Sequence, residues 1–140
     1  MKKLNFLLID DDPLSNRICQ TLLQSAFGEV EIKTFTEPEK GLDYIARSYV
    51  NTAINDHEPI LLLDINMPRM NGWELLEEYD KLEKERQRAF NIFILSSSVD
   101  QHDIVRAKEN KHVIDFISKP VTRQILIDTI SRVNFRSAEN

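Results

Sequence analysis

Short apolar runs alternate with longer stretches in which apolar residues recur every three or four positions, and the alternation repeats five times along the chain. The runs Asn5–Ile9, Val30–Phe35, Ile60–Leu63, Ile92–Leu95 and Val113–Ile117 have the length of strands. The first, third and fourth are almost wholly apolar, the pattern of strands covered on both faces of a parallel sheet. In the second, Val30, Ile32 and Thr34 alternate with charged neighbours, which predicts an edge strand. Between the runs, Leu14, Ile18 and Leu22 after Pro13 predict a first helix. Glu37 to about Val50 predicts a second, with Leu42, Ile45, Ala46 and Tyr49 on one stripe. Asn71-Gly72 opens a charged third helix from Trp73 to about Arg88, and Gln101 to Glu109 gives a fourth, the least apolar. Thr122 precedes a fifth with Leu126, Ile130 and Val133 as its buried stripe. Strand and helix in strict alternation, joined by right-handed crossovers, predict an α/β fold. It is a doubly wound five-stranded parallel sheet with helices on both faces, flavodoxin-like, in strand order 2-1-3-4-5.

A chain of 140 residues accommodates one such domain, expected over residues 1–136 with a short tail at 137–140. The formal net charge of -5 argues against direct nucleic-acid binding, which draws on clustered Lys and Arg. The apolar run after Met1-Lys2-Lys3 is broken by Asp10, Asp11 and Asp12, too soon for a signal peptide, and no stretch approaches membrane-spanning length. A cytoplasmic protein without a membrane partner is expected. Cys19 is read as small core filler. His57, His102 and His112 lie in polar stretches without metal-ligand spacing and are expected at the surface, as is the charged stretch from Glu77 to Arg88. Trp73 is read as packing at a helix start.

In doubly wound sheets ligands bind beyond the carboxyl ends of the strands. Asp10-Asp11-Asp12 follows the first run, Asp64 the third, Ser96-Ser97-Ser98 the fourth and Ser118-Lys119-Pro120 the fifth. Carboxylates from two strand ends repel one another and attract a hard divalent cation, with Mg2+ (or Mn2+) the natural candidate. A magnesium ion held by few carboxylates keeps positions for phosphate oxygens. Lys119 adds a mobile positive charge and Ser96 a hydroxyl donor, so the parts suit phosphoryl transfer to a carboxylate.

These residues resemble the receiver domains of response regulators in two-component signalling. The likeness runs from Lys3 to Val133 and rests on Leu8-Ile9-Asp10-Asp11-Asp12-Pro13, Asp64-Ile65-Asn66-Met67-Pro68-Arg69-Met70-Asn71-Gly72, the hydroxyl after the fourth strand, Phe116 and Lys119-Pro120. The resemblance implies that Asp64 is the phosphoacceptor, attacking a phosphohistidine on a sensor histidine kinase or histidine phosphotransfer protein. It implies metal ligation by Asp10 (largely through a water), Asp11, Asp64 and the backbone carbonyl of Asn66, with Asp12 spare. It implies that Ser96 and Lys119 contact the phosphoryl oxygens, that the Lys119-Pro120 bond is cis, and that Ser96 and Phe116 form the switch that moves inward on phosphorylation. Phe116 stands where many members have tyrosine, so its inward state rests on packing alone. Ser97 stands where alanine is usual, which leaves Ser97 as an alternative register for Ser96. His112 stands where glycine is frequent, and the polar segment Ser48–Glu58 reads as a surface extension without function.

Two other readings compete. A phosphatase of the haloacid dehalogenase type would use Asp10 as nucleophile and Asp12 as general acid, but Leu14 departs from its pattern and the segment after Asp64 goes unexplained. A receiver-shaped interaction module that accepts no phosphate would lack one of these groups, and none is missing. The expectation is a stand-alone signalling module rather than an enzyme acting on external substrates. Its output leaves by onward phosphotransfer or through a downstream protein on the fourth-helix to fifth-helix face, with a phosphorylation-dependent homodimer as a further partner.

Overall fold

The structure, a computed structural model, describes residues 3–48, 57–86 and 90–132. Strands and helices alternate as β1 (Lys3–Ile9), α1 (Pro13–Phe27), β2 (Glu31–Phe35), α2 (Pro38–Ser48), β3 (His57–Leu63), α3 (Gly72–Arg86), β4 (Asn91–Ser96), α4 (Gln101–Glu109), β5 (Val113–Ser118) and α5 (Arg123–Ser131). Every strand pair is parallel and the order is β2-β1-β3-β4-β5, as the alternation predicts. Parallel neighbours need crossovers, and each crossover helix covers one face of the sheet.

Alternate side chains of the central strands feed two separate cores. Leu7, Ile9, Leu61, Leu63, Ile92 and Ile94 pack on one face with Ile45 of α2, Leu75, Leu76 and Tyr79 of α3, and Ala107 of α4. Phe6, Leu8, Ile60, Leu62, Phe93 and Leu95 pack on the other with Cys19 and Leu23 of α1 and Leu126 and Ile130 of α5. Each buried Leu, Ile or Phe among them contributes about 1.5–3 kcal/mol, and both faces demand it. This is why β1, β3 and β4 read as unbroken apolar runs. β2 is an edge strand, as expected, with Glu31, Lys33 and Thr34 exposed.

The helical spacing of Leu14 and Ile18 locates α1, yet these two are 63% and 50% exposed. The inward residues are Asn16, Cys19 and Leu23. A polar Asn16 is tolerated inside because its amide donates to the carbonyls of Asp10 at 3.0 Å and Phe35 at 3.3 Å.

His112 is not at the surface but buried, its Nε2 2.7 Å from Asp80 Oδ1 and its ring edge-on to Tyr79. His102 is exposed, as expected. Glu58 is likewise no surface residue: it is buried in β3, with the Asn91 amide 3.4 Å from its carboxylate. Tyr49, Val50, positions 51–56, Gln87, Arg88, Val133 and the expected tail at 137–140 lie outside the described residues.

Candidate functional site

The sheet ladder continues past the strand ends and aligns the polar residues that follow. The Asp10 N–H donates to Phe35 O at 3.1 Å, the Asp64 N–H to Ile9 O at 2.9 Å, and the Lys119 N–H to Ser96 O at 2.9 Å. Asp10 is thereby registered to Asp64, and Lys119 to Ser96. After Asp64 the chain turns tightly into α3. The Gly72 N–H donates to Ile65 O at 3.0 Å. A Cβ on Gly72 would lie 2.7 Å from Ile65 Cα and 2.9 Å from Asp64 O, so only glycine lets the helix start this close to the site. Arg69, in the same turn, holds a left-handed φ of 71° and pairs with Glu39 at 3.1 Å.

Asp10, Asp11 and Asp64 offer carboxylate oxygens that all lie within 4.8 Å of one another. Asp10 and Asp64 are buried, and Asp11 is the most accessible of the three. Lys119 Nζ is 2.7 Å from Asp10 Oδ2 and 3.9 Å from Asp64 Oδ2. Asp12 turns away to cap α1, accepting from the Leu14 N–H at 3.0 Å, while its own N–H donates to Asp10 Oδ1 at 3.0 Å. The triple acid thus divides into two residues facing Asp64 and one helix cap.

Burial, then the Asp10 charge, pushes the Asp64 carboxyl up to about 6, against the opposing pull of Lys119 and the Asn66 N–H. Burial also raises Asp10, but its hydrogen bonds from Lys119, the Asp12 N–H and Ser15 outweigh it and hold Asp10 below its ordinary value. Three carboxylates facing one lysine leave a surplus of negative charge on an all-oxygen donor set, which fits Mg2+ better than a softer metal. Asn66, exposed two residues after Asp64, donates its N–H to Asp64 Oδ1 at 3.2 Å.

Ser96 is fully buried, and its hydroxyl oxygen accepts from the Ser98 N–H at 3.1 Å and, at 3.5 Å, from the Asn66 amide. Ser97 is exposed and faces the groove beside Lys119 and Pro120. Of the two serines, Ser96 is the one in contact with Asn66, whose backbone N–H is bonded to Asp64. Phe116 is half-buried against the core on the α3 and α4 side of the sheet. The Lys119–Pro120 peptide is cis. Asn16 behind Asp10, and Asp103 and Trp73 beside Ser98, also belong to the surroundings of the site. Asn16 meets Phe35 across 19 positions and Trp73 meets Asp103 across 30, and no local pattern marks them.

Comparison with known proteins agrees with this geometry. A family model described as response regulator receiver domain matches residues 6–131. The crystal structure of a two-component response regulator from Cytophaga hutchinsonii superposes with a TM-score of 0.80 at 29% identity, covering 94% of this chain and 97% of that one. A response regulator receiver protein from Dyadobacter fermentans gives a TM-score of 0.72 at 26% identity, covering 91% and 98%. The transcriptional regulatory protein BtsR of Salmonella typhimurium is 28% identical over 128 residues, 91% of this chain and 46% of its own length. The sensory/regulatory protein RpfC of Xanthomonas campestris is 26% identical over 131 residues, 94% of this chain and 16% of its own. The chain spans less than half the length of these curated relatives. Because the matched span runs from within β1 to the last residue of α5 and takes in every strand end of the site, the chain belongs to the response regulator receiver domain family of two-component signalling.

Proposed function

We propose that the protein is a phosphorylation-driven switch in which Asp64 accepts a phosphoryl group from the phosphohistidine of a sensor histidine kinase or histidine phosphotransfer protein. The observation that carries this is the cluster of Asp10, Asp11 and Asp64 oxygens within 4.8 Å of one another, with Lys119 Nζ 3.9 Å from Asp64 Oδ2. An Asp64 oxygen forms the new bond to phosphorus as the phosphorus–nitrogen bond breaks, and the electron pair stays with the donor imidazole. The surroundings that raise the Asp64 pKa also make its ionised form the more basic nucleophile. Mg2+ (or Mn2+), held by oxygens of Asp10, Asp11 and Asp64 and the Asn66 carbonyl, would neutralise charge on the phosphoryl oxygens. Lys119 and Ser96 donate to the remaining oxygens.

Beside the site, the exposed Leu14 and Ile18 line an apolar groove of about 340 Å³ with Pro120 and Val121. Any donor that reaches Asp64 must lie over this rim, so the phosphohistidine-bearing protein is its occupant. Phosphorylation draws Ser96 and then Phe116 inward, and the message passes to a protein bound on the face of α4 and α5. No external substrate is turned over, and the site of action is the cytoplasm; among the described residues no helix is long and apolar enough to cross a membrane.

The test is Mg2+-dependent labelling with acetyl phosphate and then a panel of histidine kinases. Intact-protein mass spectrometry is expected to show one phosphoryl group on the native chain and none on Asp64→Ala. Labelling that persists in Asp64→Ala, or hydrolysis of many acyl phosphates per chain through Asp10, would favour the phosphatase chemistry instead.

A further inference from the structure

One carboxylate joins three parts of the molecule next to the phosphoacceptor. Asp103, in the first turn of α4, accepts at Oδ1 from the Trp73 indole N–H at 3.2 Å and at Oδ2 from the Ser98 hydroxyl at 2.6 Å. Ser98 lies two residues beyond Ser96, and its backbone N–H donates to the Ser96 hydroxyl oxygen at 3.1 Å. The Ser98 hydroxyl oxygen also accepts from the N–H of Asp100, the residue that caps α4. One turn along α4, the Arg106 guanidinium lies 4.9 Å from the centre of the Trp73 ring.

The two ends of this connection differ in how firmly they are held. Trp73 is buried in the first turn of α3, directly after the Gly72 that packs against Asp64. α4 buries only Ala107, so apolar packing holds it weakly and its polar contacts to Trp73 and Ser98 form a large share of its anchorage. Trp73 is the fixed end, and the β4–α4 loop with α4 is the movable one.

We propose that Asp103 is a positioning residue that latches the β4–α4 loop and α4 in the resting arrangement, and that the movement of Ser96 toward a phosphorylated Asp64 opens this latch. The proposal rests on Asp64 as the phosphoacceptor. To donate to a phosphoryl oxygen the Ser96 hydroxyl turns toward Asp64, and the backbone at Ser98, bonded to that hydroxyl, shifts with it. Asp103 holds the Ser98 hydroxyl and the buried Trp73 indole at once, so a shift of Ser98 away from Trp73 requires Asp103 to release one of them. Part of the binding free energy of a phosphoryl group then goes into opening the latch, and removing the latch returns it as tighter binding.

The experiment is a beryllofluoride titration of the full chain in Mg2+, followed by fluorescence of Trp73, the only tryptophan, and by calorimetry. The native chain is expected to change its Trp73 emission at saturation, as Asp103 and Arg106 leave the ring. Asp103→Ala and Ser98→Ala are each expected to bind the mimic about 3- to 10-fold more tightly, the net worth of one ordinary hydrogen bond, and to show a smaller emission change. Unchanged or weaker binding in variants with native circular dichroism overturns the latch, as does a native Trp73 signal that ignores saturating mimic. If Asp103→Ala fails to fold, Ser98→Ala decides alone, since it removes a single half-buried hydroxyl. A native chain that binds no beryllofluoride overturns the phosphoacceptor function, and the latch falls with it.

Discussion

Asp10 and Asp64 are 5% and 7% exposed, and Lys119 lies within ion-pairing reach of both. Burial and the Asp10 charge raise the Asp64 pKa from 3.8 to about 6, so the folded chain holds that proton more tightly than the unfolded one. The resulting stability is complete below pH 3.8 and is lost as the pH rises through about 6. Asp10, held below its ordinary value, has the opposite sign, with stability present at neutral pH and lost on acidification. Asp64→Asn stays neutral throughout. Without Mg2+ it is expected to exceed the native chain in stability by about 1–2 kcal/mol near pH 7.5, the full shift being reduced by solvent at the rim, and by about half as much near pH 5, midway between 3.8 and about 6. Urea unfolding at the two pH values checks this, and equal stabilities would contradict a site strained by its own charge. Lys119→Met removes the nearby cation and is expected to slow acetyl phosphate labelling of Asp64 about 10- to 100-fold, measured by mass spectrometry. Asp64 and Lys119 were legible in the sequence because each directly follows an apolar strand. The buried His112 was not, because it lies in the turn before β5 and its partners Asp80 and Tyr79 belong to α3.

At the level of elements, the three consecutive acids do different work. Asp11 faces Asp64, whereas Asp12 caps α1. Asp12→Ala is expected to lower stability by about 1 kcal/mol and leave the Mg2+ midpoint nearly unchanged. Asp11→Ala is expected to weaken Mg2+ at least about tenfold with little loss of stability, because it removes a ligand and a like charge together. Thermal melts with and without Mg2+ separate the two effects, and a reversed pattern would exchange the roles. The helix after Pro13 was legible from its spacing, and its inward face was not. Leu14 and Ile18 stay exposed because Asn16 bridges the Asp10 and Phe35 carbonyls and so takes the inward position.

For the whole molecule, a metal that binds only the folded site stabilises the fold by mass action, about 2.7 kcal/mol at one hundred times its dissociation constant. The melting temperature is therefore expected to climb with Mg2+ in the native chain and to stay nearly flat in Asp11→Ala; equal responses would remove Asp11 from the metal site. The topology follows from two periods, strands apolar on both faces and helices apolar on one, and these are local properties that any stretch of the chain displays. The residues ending each strand are local in the same sense, so the sheet order, the acidic cluster and Lys119 could be read before any coordinates. Contacts between distant elements carry no period. Asp103 meets Trp73 across 30 positions and His112 meets Asp80 across 32, and only the packing of α3 against α4 and β5 brings these pairs together. The acids and the lysine that follow the strands are thus written along the chain, while the inward face of α1 and the tie between α3 and α4 come from how the elements pack.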